Sequence, residues 1–242
     1  PTSAISALIQ PRRLMQRKEY VFVVSAQRSG STLLKALLAV APDVSHFAEV
    51  PFHRYGRSNS WQLKSLADER ILVFKKPFWP GEKDYPSIPP VGDHRIIVLI
   101  RHPYETLVST GKMYETLEPD FWSRWSYESM LYDYWLPAYE GMIARRIPDL
   151  SNSLTVRYED LTAQPKQETK RLFKFIQSSR IDGTDTYEKL SNGWEYTQDD
   201  GSRMIKSLKV QPRAIQRKNH ELLEMIEAEP RVRAVLERLG YS

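Results

Sequence analysis

The chain has 242 residues, with 35 Lys and Arg against 30 Asp and Glu for a net charge of +5, and 41% of its residues are hydrophobic. That length fits one α/β domain with a full core. The absence of cysteine excludes disulfides, thiolate metal sites and cysteine nucleophiles, and no apolar run approaches the ~20 residues of a membrane span.

Residues 1–19 read as an N-terminal extension with scattered arginines and no apolar signal core. With the lack of cysteine, this suits a reducing, cytoplasmic setting. Residues 20–25 (YVFVVS) form a short apolar, β-rich run and predict a buried strand. A polar loop follows at 26–31, then a helix-forming run, TLLKALLAVA, stopped by Pro42. Further strands are predicted at 71–75 (ILVFK), 95–101 (RIIVLIR) and 153–158 (SLTVRY), with helices at about 104–115, 127–146 and 166–177. Residues 77–92 contain five prolines and predict a long irregular loop. The stretch 211–241 predicts two helices split at Pro230, the second ending at Gly240. Strands alternating with helices imply one α/β domain over residues 1–242, a parallel sheet covered on both faces.

The loop Ser25-Ala26-Gln27-Arg28-Ser29-Gly30-Ser31-Thr32 joins the first strand to a helix. Such a junction aims backbone N–H groups and a helix dipole at one point, an anion site. Gly30 permits a close turn, and Ser31 and Thr32 add hydroxyl donors. Aligned on Gly30 with the nucleotide-kinase loop GxxxxGK[ST], the chain has Ser31 where the lysine should stand, and its cation is Arg28 instead. A second motif ends another strand: Arg101, then His102-Pro103, with Ser109 eight residues on, about two helical turns away. An arginine at a strand tip with a helix hydroxyl can clamp a second phosphate. Strand-end loops of a parallel sheet face one crevice. Read singly, the first loop is also a polar turn and the second a surface ion pair.

Taken together, AQRSGSTLL, RHPYETLVS, VRYEDL and the closing LERLGY resemble the sulfotransferases that use 3'-phosphoadenosine-5'-phosphosulfate (PAPS), above all bacterial members. The resemblance runs from about residue 20 to 241. It implies a P-loop-like α/β fold and an enzyme that transfers a sulfuryl group to a hydroxyl or amine of a small organic acceptor, releasing PAP. Gln27, Arg28, Ser29, Gly30, Ser31 and Thr32 correspond to the 5'-phosphosulfate loop. Arg101 and Ser109 correspond to the 3'-phosphate motif, and Tyr158 of VRYEDL to a strand-end cofactor position. Arg203, Lys206, Lys209 or Arg213 would supply a further cation. Sulfuryl transfer needs an anion cradle, a cation at the leaving oxygen and a base, and no metal. Lys75 in FKKPF, similar to the KDPF stretch of tyrosylprotein sulfotransferases, is the expected cation, with Lys76 as alternative. Pro77 stands where cytosolic members carry a catalytic histidine, so Glu49 in SHFAEVPFH is the expected base and His53 the reserve. Phe52, Tyr55, Trp61, Phe78 and Trp79 flank these positions and could line an acceptor pocket, whereas Trp135 and Tyr139, four apart, are expected in the core. The resemblance implies natural-product tailoring with no nucleic-acid or membrane partner. A P-loop kinase lacks its lysine here, and a nucleic-acid module lacks a continuous basic stripe interleaved with aromatics.

Overall fold

The computed structural model describes residues 18–46, 69–82, 94–188, 208–211 and 217–241, without the side chains of His46 and Lys76. Five strands form its sheet: β1 (Glu19–Ala26), β2 (Val44–His46), β3 (Ile71–Phe78), β4 (His94–Ile100) and β5 (Ser153–Arg157). Their order is β2-β3-β1-β4-β5, and every pairing is parallel. Parallel strands buried on both faces read as continuous apolar runs, which is why YVFVV and IIVLI stand out in the sequence.

Alternation along β1 sorts the two cores. Val21 and Val23 face α1 (Ser31–Leu38), whose Leu33, Leu34 and Leu37 share their cluster. Tyr20, Phe22 and Val24 face the opposite way, into a cluster with Tyr104 and Leu107 of α2 (Pro103–Leu117). The helices that follow the adjacent strands β1 and β4 therefore lie on opposite sides of the sheet. Such a divergence opens a crevice at the strand carboxyl ends. The fold is the α/β architecture expected from the sequence, a parallel sheet flanked by helices.

Short helices α3 (Phe121–Arg124) and α4 (Tyr127–Met130) lead into a π-helical turn (Leu131–Trp135) and α5 (Leu136–Ala144). Pro137 lacks the N–H an α-helix would use and its ring crowds the carbonyl four residues back. The Leu136 N–H bonds instead to Leu131 O, one residue further than an α-helical bond. The result aims three aromatic side chains at the ends of β1 and β4. Tyr134 donates its hydroxyl to Gln27 O at 2.5 Å. The Trp135 indole N–H lies 3.4 Å from Arg101 O. Tyr139 donates to Leu99 O at 3.1 Å and meets Ser29 Oγ at 3.0 Å. All three are core residues, as the spacing of Trp135 and Tyr139 predicts. Burial pushes the Tyr134 and Tyr139 phenols well above their ordinary range, so both remain protonated. Tyr139→Phe removes the donor to Leu99 O and the buried oxygen that accepts from Ala26 N and should cost about 1–3 kcal/mol, read as a lower midpoint in urea unfolding at unchanged slope.

Three details depart from the sequence reading. Strand β3 continues through Pro77 to Phe78, so the irregular stretch begins later than 77. Phe78 O accepts from Gln27 N at 2.9 Å on the β1 side, and strand alternation turns the Pro77 nitrogen the other way, where it interrupts no β1–β3 bond. Tyr158 opens a helix, α6 (Tyr158–Ala163), instead of ending β5. The short edge strand β2 is too brief for a periodicity signal. Beyond α6 lie α7 (Pro165–Phe175), α8 (His220–Ala228) and α9 (Pro230–Arg238), the last two split at Pro230 as expected. No described helix is long and apolar enough to cross a membrane.

Candidate active site

At the carboxyl end of β1 the chain turns through residues 27–30 into α1. Arg28 adopts φ 65° and Gly30 φ 96°, both left-handed. At Gly30 the need is also steric: a Cβ there would come within 2.3 Å of the Tyr158 ring. Gly30 is the N-cap of α1 and offers no side chain to its first N–H groups, and no acidic residue occupies the first turn. An uncapped, uncontested helix N-terminus is suited to an anion.

The two sequence motifs meet here. Arg28 Nε donates to Ser109 Oγ at 3.2 Å across 81 residues. Arg101 follows β4 directly, and its Nη1 donates to Arg28 O at 3.1 Å. Its side chain is buried, at 7% relative exposure, and its guanidinium lies over the Tyr158 ring, 4.4 Å from the centroid. One tyrosine thus supports both loops, with Gly30 and Arg101 against its ring. Burying a guanidinium is costly unless its surroundings compensate, and a π face with a carbonyl does so in part.

Lys75 joins the same place from the neighbouring strand. Its register partner on β1 is Val23, and its ammonium donates to Thr32 Oγ1 at 2.7 Å in the first turn of α1. Its 5% exposure identifies it as part of the loop's interior lining instead of a solvated strand end. Of the two lysines, Lys75 is the one with a described side chain at the loop.

The remaining predicted residues divide. Gln27 is held in place: its side-chain oxygen accepts from Tyr114 at 3.2 Å and its carbonyl from Tyr134. Ser29 Oγ is buried against Tyr139, so its hydroxyl ties the loop to the core. Ser31 is buried at the start of α1. Lys209 pairs with Thr186 in an antiparallel bridge, and its ammonium lies 3.8 Å from Asp185. Phe78 is not a pocket wall but a core residue, stacked on Tyr134 with centroids 6.4 Å apart. Trp79, by contrast, is 40% exposed. Glu49, His53, Arg203, Lys206 and Arg213, with Phe52, Tyr55 and Trp61, lie outside the described residues. Sequence reasoning missed Tyr134 and Trp135 as supports of the loops, since an aromatic that anchors a loop has the same spacing as one that fills a core. Among the described residues no cluster of His, Asp or Glu could hold a metal ion.

The arrangement places three cations, a helix N-terminus and the Thr32 hydroxyl around one crevice. It can hold a ligand with two separate anionic groups and stabilise charge between them.

Comparisons with known proteins bear on the fold and the family. The sulfotransferase domain model matches residues 18–222. Among solved structures, mouse sulfotransferase SULT7A1 complexed with PAP superposes with a TM-score of 0.58 at 15% identity, covering 93% of this chain and 90% of that one. The sulfotransferase domain from the curacin biosynthetic pathway gives 0.54 at 17% identity, over 94% and 99% of the two chains. A sulfotransferase from Alicyclobacillus acidocaldarius gives 0.51 at 15% identity, over 90% and 93%. These likenesses establish the fold, and no curated protein matches the sequence. With the family model spanning most of its length, the chain belongs to the sulfotransferase family.

Proposed function

We propose that the protein transfers a sulfuryl group from PAPS to a hydroxyl or amine of a small organic acceptor and releases PAP. The observation that carries this reading is the direct joining of the two motifs, Arg28 to Ser109 and Arg101 to Arg28 O, beside the Lys75–Thr32 bond. Residues 28–32 hold the 5'-phosphosulfate through backbone N–H groups and hydroxyls. Arg101 and Ser109 take the 3'-phosphate, with Arg203, Lys206 or Lys209 adding a cation. The bond from sulfur to the bridging phosphate oxygen breaks as the acceptor oxygen or nitrogen bonds to sulfur. Lys75 stabilises charge on the departing oxygen. Glu49 takes the acceptor proton, with His53 as the other candidate. No metal enters the scheme. A domain of the curacin biosynthetic pathway is among the fold neighbours, and a small acceptor in natural-product tailoring is the class we assign. The setting is cytoplasmic, without nucleic-acid or membrane partners.

Thermal shift and calorimetry with PAP, AMP, ATP plus Mg²⁺ and an oligonucleotide test the reading. PAP at 100 times its dissociation constant should add ~2.7 kcal/mol of stability, with far smaller shifts from AMP, ATP and the oligonucleotide at equal concentration. Arg101→Ala loses a charged hydrogen bond worth roughly 1.5–3 kcal/mol, or about 10- to 150-fold in PAP affinity, and should change AMP affinity much less. Equal binding of AMP and PAP by the native protein would remove the 3'-phosphate site. A larger shift with ATP plus Mg²⁺ would favour a kinase.

A further inference from the structure

The peptide group between Arg101 and His102 is held on both edges. Its carbonyl, Arg101 O, lies 3.4 Å from the Trp135 indole nitrogen and 3.4 Å from Thr106 Oγ1. Its N–H, that of His102, donates to Glu159 Oε1 at 3.0 Å. Rotation of this peptide plane changes the backbone from which the Arg101 side chain departs, so both edges bear on where the guanidinium sits. The Trp135 and Thr106 side comes from the core. The Glu159 side has a different source.

Glu159 is the second residue of α6, next to the tyrosine that supports Arg101 and Gly30. Its other oxygen, Oε2, accepts from the Tyr241 hydroxyl at 2.5 Å. Tyr241 follows α9 and is set there by several contacts. Gly240 takes φ 91°, a left-handed turn that ends the helix, and Tyr241 N bonds back to Leu236 O at 2.9 Å. The Arg157 guanidinium lies over the Tyr241 ring at 4.9 Å, and its Nη1 donates to Gly240 O at 2.9 Å. Arg157 is in turn oriented by Asp160, which accepts from Nε and Nη2 at 2.7 and 2.6 Å. Burial and the Glu159 carboxylate push the Tyr241 phenol far up, so it stays a donor. The chain of contacts from Tyr241 through Glu159 to the Arg101–His102 peptide is unbroken.

We propose that Glu159 and Tyr241 are positioning residues for the 3'-phosphate site: Tyr241 orients the Glu159 carboxylate, and Glu159 fixes the peptide that presents Arg101. The inference rests on the reading of Arg101 as the 3'-phosphate clamp. Neither residue touches the nucleotide. A carboxylate near an anion site is ordinarily unfavourable, but here its oxygens are engaged by a peptide N–H and a phenol, and it serves the geometry.

The test is the ratio of PAP to AMP affinity, measured by calorimetry on the native protein and on Tyr241→Phe, Glu159→Ala, Glu159→Gln and the Tyr241→Phe/Glu159→Ala pair. Tyr241→Phe keeps the ring over Arg157 and removes only the hydroxyl. It should lower PAP affinity by about 2- to 30-fold, in the range of energetic coupling between linked sites, and leave AMP affinity unchanged. Glu159→Ala should have an effect at least as large, Glu159→Gln should restore much of it, and the pair should be no worse than Glu159→Ala alone. If PAP and AMP weaken in parallel, or PAP affinity is unchanged in Tyr241→Phe, the positioning role is refuted. Should Glu159→Ala fail to fold, the ratio in Tyr241→Phe decides by itself. Native protein that does not distinguish PAP from AMP overturns the underlying assignment of Arg101, and the proposal with it. Native discrimination that survives in Tyr241→Phe overturns this proposal alone.

Discussion

Lys75→Met should lower turnover by ~10²- to 10³-fold, the usual loss when one preorganised electrostatic group is removed from a developing anion. Methionine keeps most of the buried stem and removes the ammonium that now donates to Thr32 Oγ1 at 2.7 Å. Because charge on the bridging oxygen grows as the sulfuryl group departs, the loss should fall mainly on kcat, with PAP affinity changing much less. The comparison with Glu49→Gln is informative. Glutamine cannot accept the acceptor proton, so a hydroxyl acceptor should then react ~10²- to 10⁴-fold more slowly. An amine already neutral at the assay pH depends less on a base, so a severe Lys75 effect with a mild Glu49 effect would indicate transfer to nitrogen. Turnover at the native rate in both variants would overturn the assigned roles and leave the nucleotide site intact. Steady-state kinetics with each variant at saturating PAPS separates these cases.

Gly30→Ala should have the other large effect, and of a different kind. The added Cβ meets the Tyr158 ring at 2.3 Å, and the backbone is held at φ 96°. A left-handed residue other than glycine costs roughly 1–2 kcal/mol, and forcing a buried ring aside costs roughly 1–3 kcal/mol more. Tyr158 cannot move without withdrawing its face from Arg101. The variant should therefore lose both anion sites, with PAP and AMP affinity each falling ~10²-fold or more, along with a lower melting temperature. That parallel loss contrasts with Arg101→Ala, where PAP should suffer far more than AMP. Isothermal titration with both nucleotides distinguishes the two patterns. Near-native binding in Gly30→Ala would mean that the loop can move away from Tyr158, and that its conformation is not what holds the phosphosulfate.

The α/β class, the parallel sheet and the two strand-end loops were legible in the sequence for one reason: each is encoded by residues close together in the chain. YVFVV is a buried strand wherever it is placed, QRSGST turns a strand into a helix by its own glycine, and RHPYETLVS sets its arginine and serine two helical turns apart. Pro230 and Gly240 likewise punctuate the last two helices locally. What the tertiary structure decided are relations across long separations. That Arg28 binds Ser109, that one tyrosine supports both Gly30 and Arg101, and that Lys75 reaches Thr32 all depend on β1 lying between β3 and β4. No local pattern specifies that order. The π turn before Pro137 is the intermediate case. The proline is visible in the sequence, but its consequence, three aromatic side chains aimed at the ends of β1 and β4, follows only when the helix packs against the sheet. The Tyr241–Glu159–His102 connection is the furthest from local encoding, because its members come from separate parts of the chain and converge only when Gly240 and Tyr241, just after α9, meet Arg157 at the end of β5. Local chemistry determined which loops the chain carries at its strand ends, and packing determined that Arg28, Arg101, Ser109 and Lys75 stand together.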